Sequence, residues 1–220
     1  MYEPIKIKRS QKFGLNYWHG NSLKLNREVT FFGDLSYEHY LQVECDSTIE
    51  TFCERPLEIA YSIDGMLKYC TPDMWVKYKD GKEEFRTLIY GSFIDKNGNR
   101  KIETSHLLNA QQKWCDDKGF HFSIYTEKTL RENLIWVDNC RILLSFLRYF
   151  NPDYHKSILN EIISLLRSEK SSLEIIQNTL YMHSSQDSQI AVFYGLFTGI
   201  LNASLKQQPI KQSMEVWLNE

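Results

Sequence analysis

The sequence predicts an α/β (α+β) protein in which a mixed-sheet domain flanked by helices is followed by a small helical domain. Three observations carry this. Alternating apolar stretches between residues 49 and 94 are separated by the turn pairs Asp64-Gly65, Asp80-Gly81 and Asn97-Gly98, the pattern of antiparallel strands. Helical periodicity brackets that run on both sides. Asn151-Pro152-Asp153 then punctuates the chain and opens a helical tail.

Residues 1–28 form a basic N-terminal arm with six Lys/Arg against two Glu, while the chain as a whole carries a net charge of −2. Composition leaves two readings of the arm open: a phosphate-contacting segment using Lys6, Lys8, Arg9 and Lys12, or a solvated tail. The mixed domain spans 29–150. It opens with a helix over Asp34 to Glu44, where Leu35, Tyr40, Leu41 and Val43 recur at near-helical spacing. The stretches "IETFCER", "LEIAYSI", "MLKYCTPDMWVKY" and "EFRTLIYGSF" then read as one meander. Residues 104–119 form a helix closed by Gly119, "FHFSIYTE" a strand, and the segment from Glu127 a helix with a break near Asp138.

The tail, 151–220, holds the amphipathic helix "HKSILNEIISLLRS", a capping-box pattern at Ser171 and Glu174, the apolar helix "DSQIAVFYGLFTGIL", and a hairpin around Pro209. Three helices and a hairpin read as a winged-helix-like module, with loose packing onto the first domain as the alternative. From Ser171 through Leu205 there is no Lys or Arg. A DNA-reading helix needs basic residues toward phosphates, so this one is expected to meet protein or to be buried.

Composition excludes several classes. With 42% hydrophobic and 25% charged residues the chain is an ordinary folded protein. No apolar run is long enough for a membrane span and the N-terminus lacks a signal-peptide core, so an intracellular, cytoplasmic location is expected. Cys45, Cys53, Cys70, Cys115 and Cys140 lack ligand spacing, which favours reduced, buried thiols over disulfides or zinc. Motifs for nucleotide hydrolysis, dinucleotide binding, zinc proteolysis and serine hydrolase chemistry are absent.

Two stretches point to one family. "E54 R55 P56", then an Asp-Gly turn and "Y69 C70 T71 P72 D73 M74", resemble the Glu-Gln-Pro and Tyr-Thr-Pro-Asp-Phe stretches of TnsA-type transposon endonucleases. The likeness continues through the Lys-Gly-Phe-x-Phe-x-Ile-Tyr-Thr-Glu run at 118–127 and the helix after it. What this resemblance implies is a restriction-endonuclease-like fold and a subunit that works beside a DDE transposase and an AAA+ regulator on transposon-end DNA, with Mg²⁺ as cofactor where the site is active.

Such a site needs two or three carboxylates around Mg²⁺ and a lysine beside them. Asp73 matches the Pro-Asp position and is the candidate catalytic carboxylate and metal ligand. The acid-x-lysine element expected sixteen to nineteen residues later falls on "F85 R86 T87 L88 I89 Y90 G91 S92", where Tyr90 and Ser92 stand as substitutions. Counting back along the helix, the family Glu falls at Ser36. Glu38 lies two residues on, about 200° around a helix, and returns to the site only by a shift in register.

Three functions are therefore carried forward. The favoured one is a non-catalytic TnsA-like subunit that needs no cofactor, contacts transposase, AAA+ regulator and DNA, and has no membrane partner. The second is an active Mg²⁺-dependent endonuclease with a shifted site built from Asp73, Glu38 and groups such as Glu84, Lys82 or Lys96. The third is a nuclease-fold interaction module outside transposition.

Overall fold

The computed structural model describes residues 2–12, 14–91 and 102–219, the side chains of residues 11 and 12 excepted. The predicted Asn97-Gly98 turn, Ser92 and Lys96 lie outside the described residues. The chain forms two compact units, one of residues 1–44 and 48–132, the other of residues 45–47 and 133–220.

In the first unit, strands β1 (Tyr17–Ser22) and β2 (Arg27–Phe32) form an antiparallel hairpin inside and just beyond the segment read as an arm. Its connection is set by residues sequence periodicity does not expose. Asn26 adopts a left-handed φ of 50°. The buried Glu44 carboxylate accepts from the Ser22 hydroxyl and the Leu23 and Lys24 amides.

Helix α1 (Asp34–Cys45) follows as predicted, then β3 (Ile49–Glu54), β4 (Ile59–Ile63), β5 (Met66–Cys70), β6 (Met74–Tyr78) and β7 (Glu83–Ile89). These strands are not one meander. β3 pairs with β6, while β4 and β5 pair only with each other, as a two-stranded ribbon across the Asp64-Gly65 turn.

Helix α2 (Ile102–Lys118) carries the chain over to β8 (His121–Thr126), which joins β7 in parallel. The result is a four-stranded mixed sheet in the order β3-β6-β7-β8. Alternation along β7 puts successive side chains on opposite faces. Phe85 packs with Cys53, Trp75 and Cys115 of α2, whereas Leu88 packs with Leu35 of α1 and Leu130. Helices therefore cover both faces, the α+β architecture predicted, in a restriction-endonuclease-like arrangement.

After the single-turn α3 (Glu127–Leu130) the chain breaks at residues 131–133 rather than near Asp138. The Asn133 side chain accepts from the Trp136 amide and so starts a new helix, α4 (Leu134–Leu147), while Asp138 sits within it, paired with Arg141.

Helix α4 opens the second unit, before the 150/151 junction read from the sequence. It is followed by α5 (Pro152–Leu166), β9 (Ser171–Ser172), α6 (Leu173–Thr179), α7 (Ser185–Thr198), β10 (Leu201–Ala203) and β11 (Glu215–Leu218). The three short strands form one antiparallel sheet, β10-β11-β9. The helix cap falls on Ser172, whose hydroxyl accepts from the Ile175 amide, because Ser171 is taken up in pairing with Val216.

Helix α7 is buried over most of its length, with Phe193 edge-on to Phe146 and Tyr194 stacked on Phe150. The buried Asn139 of α4 holds the β10–β11 connection through three hydrogen bonds, donating to the Leu205 and Gln208 carbonyls and accepting from the Ile210 amide. Asn139→Ala leaves those buried backbone groups unpaired. It is expected to cost this unit about 2–3 kcal/mol, read as a shifted urea midpoint or as lost amide protection at 205–210.

Candidate functional site

Of the sequence-predicted positions, Ser36, Asp73 and Tyr90 line one cavity of about 360 Å³ within the first unit. Asp73 lies just before β6, where its amide donates to the Arg86 carbonyl and its own carbonyl accepts from the Arg55 amide. These two bonds tie the Pro-Asp stretch between β7 and the residue after β3. The Asp73 carboxylate is thereby brought to the cavity wall, and its Oδ2 accepts from the Leu88 amide at 2.7 Å.

Among the described residues, Ser36 and Tyr90 present neutral groups to the cavity that Asp73 lines. Ser36 projects from α1, and its hydroxyl lies 2.6 Å from the Tyr90 hydroxyl. Burial first, and the Asp73 charge second, push the Tyr90 hydroxyl up to about 12, so it stays protonated at neutral pH. Leu88 and Tyr90 both line the cavity, with one residue between them. Beside Asp73 they present an apolar group and a neutral phenol.

Glu38 is placed differently. Its carboxylate accepts from Arg131 at 2.8 and 3.4 Å, and Arg131 also pairs with Glu127. The residues that α1 contributes to the cavity are Ser36 and His39, three apart on one helix face. The register shift that would return Glu38 to the site does not occur. Glu84 is likewise committed elsewhere, to Arg86 and the Tyr78 hydroxyl. Lys82 pairs with Asp80 in an exposed turn.

Sequence reading missed three lining residues. Leu88 was passed over because the expected spacing pointed to later positions. His39 is fully enclosed; burial and the nearby Arg86 charge hold its imidazole down to about 3. Arg55, with a left-handed φ of 49°, donates to the Ile5 carbonyl and to the carbonyl and hydroxyl of Thr30. Its position beside Pro56 was the one signal available.

The basic arm is docked along its inner edge. Ile5 bonds to Arg55, Ile7 lines the cavity, and Tyr2 packs edge-on to Trp75 and Phe85. Lys6, Lys8 and Arg9 are exposed, with Arg9 over the Tyr17 ring, and the Lys12 side chain lies outside the described set.

Residues 46–127, from just before β3 to the end of β8, match the family model described as TnsA-like endonuclease N terminal. This segment is a TnsA-like endonuclease N-terminal domain. No curated protein matches the chain. The TnsA-like domain supplies Asp73, Arg55, Leu88 and Tyr90 to the cavity, while Ser36 and His39 come from the helix ahead of it.

Among the described residues, the donor set of this site does not fit Mg²⁺. Such an ion is held in near-octahedral oxygen coordination through one or two carboxylates, waters and substrate phosphates. Here one carboxylate already accepts a backbone amide, the facing groups are neutral hydroxyls and apolar carbons, and the Arg55 guanidinium shares the wall. Among the described residues no group of three or more His, Cys, Asp or Glu could hold a metal ion, and no helix is long and apolar enough to cross a membrane.

Proposed function

We propose that the chain is a TnsA-like subunit of a transposition complex that does not perform TnsA-type strand cleavage and acts through contacts with a DDE transposase, an AAA+ regulator and transposon-end DNA. One observation carries the reading: Leu88 and Tyr90 flank Asp73 where a second metal ligand and a lysine would sit, with Tyr90 bonded to Ser36. A carboxylate facing hydroxyls and methyl groups lacks the charge needed to activate water and stabilise a leaving oxygen.

Other features support the contacts. The exposed side chains of Lys6, Lys8 and Arg9 offer positive charge to phosphates. The β4–β5 ribbon leaves Met66, Leu67 and Tyr69 each about 60% exposed, an apolar surface of the kind that protein partners cover. The order of elements in the second unit supports a winged-helix-like module. Helix α7 is buried over most of its length and carries no Lys or Arg, which argues against groove reading by that helix.

The test is strand nicking of a labelled transposon-end duplex by the purified chain with its transposase partner in Mg²⁺. Products are expected at the background of the Asp73→Ala variant. Cleavage that depends on Asp73 would overturn the reading.

A further inference from the structure

We infer that Arg55 holds a DNA backbone phosphate at this cavity without a metal ion, and that Asp73 opposes the contact. The inference rests on the proposed reading that the site meets DNA without cutting it. Among the described residues that line the cavity, Arg55 is the one cation beside the Asp73 carboxylate, so a phosphate is attracted by the first and repelled by the second.

Arg55 is the cation built into that wall. Three of the five N–H groups of its guanidinium are used, on the Ile5 carbonyl and on the Thr30 carbonyl and hydroxyl. All three acceptors are neutral. Among the described residues two N–H groups are left without an acceptor, and no carboxylate takes a hydrogen bond from the guanidinium. The side chain is held in place and keeps its charge available, the condition under which Arg recognises phosphate best.

Its backbone points the same way. A non-glycine residue at φ 49° is strained, and the strain is held by the Arg55 amide on the Asp73 carbonyl and the Ile5 amide on the Arg55 carbonyl. The same bonds place the guanidinium next to the Pro-Asp stretch and dock the arm beside it. Lys6, Lys8 and Arg9 are exposed on the same arm whose Ile5 bonds to Arg55.

The experiment measures anisotropy of a short fluorescein-labelled blunt duplex titrated with the full chain in EDTA, across a salt series. Wild type is expected to bind. Arg55→Gln should reduce the slope of log K against log salt by about 1, the share of one phosphate contact, and Arg55→Lys should keep most of it. Asp73→Asn should bind several-fold tighter, and this gain should shrink in the Arg55→Gln background, a coupling that a merely structural Arg55 would not produce. Unchanged slope in Arg55→Gln together with unchanged affinity in Asp73→Asn overturns the inference, as does wild-type binding that requires Mg²⁺. Circular dichroism of each variant shows whether a loss reflects unfolding; if Arg55→Gln is unfolded, the salt slope of Arg55→Met decides. Strand cleavage scored in parallel Mg²⁺ reactions tests the proposed function separately, so either can fail without the other.

Discussion

Acidification from pH 6.5 to 4.5 is expected to remove about 2 kcal/mol from the stability of the first unit through one residue, His39. The imidazole is buried under α1 against β7 and β8, 3.4 Å from an Arg86 nitrogen and in contact with the Tyr125 ring. Burial and the Arg86 charge lower it from 6.5 to about 3. With Arg86 as the donor, His39 Nε2 accepts and Nδ1 carries the hydrogen, which has no partner among the described residues. Protonation would set two buried cations face to face.

The sign follows from linkage. Between pH 6.5 and about 3 the unfolded chain binds a proton that the folded chain refuses, so stability is present in full above 6.5 and falls as pH drops through this window. The loss is roughly 1.4 kcal/mol per pH unit at most. Urea unfolding of wild type and His39→Gln at pH 7 and 4.5 checks it. The difference between the two proteins should change by about 2.5 kcal/mol between those pH values; no change would show that His39 titrates normally.

The second large effect is expected at Arg86. Its guanidinium donates to Glu84 Oε2 through two nitrogens and to the Tyr78 hydroxyl, with both charged side chains less than a tenth exposed. Burial pushes the Glu84 carboxyl up, yet Arg86, with hydrogen bonds from Ser123 and Tyr78, brings it below the ordinary glutamate value. Arg86→Met strands that carboxylate in the sheet and should cost roughly 3–5 kcal/mol. Adding Glu84→Leu should recover most of the loss, because a buried pair replaced by apolar groups costs far less than a broken one. A double-mutant cycle by urea denaturation measures this; equal and additive losses would mean that the pair is not coupled. Arg86→Met should also lessen the acid sensitivity of His39 without abolishing it, since burial is the larger cause.

Much of the fold was legible because it depends on local chemistry. Alternation and Asp-Gly turns marked the strands, and Asp73 stood out through its Pro-Asp pair. Other features depend on partners distant in sequence. Nothing near residue 22 announces that Glu44 will cap the β1–β2 turn, and nothing near Glu38 announces Arg131, ninety-three positions away, as its partner. Spacing on β7 located the right strand while leaving its register loose, since a shift of two residues keeps the same face.

Residue types and their order established an α+β chain with a Pro-Asp carboxylate at Asp73 and no acid-x-lysine on the strand expected to carry it, because those are properties of composition and local spacing. Packing decided which neutral groups stand beside that carboxylate. Ser36 meets Tyr90 only because α1 lies across β7, and Arg55 joins the wall only because its backbone turns left-handed against Asp73. Contacts between residues about twenty to fifty positions apart are set by the closing of the core, and no local pattern in the chain records them.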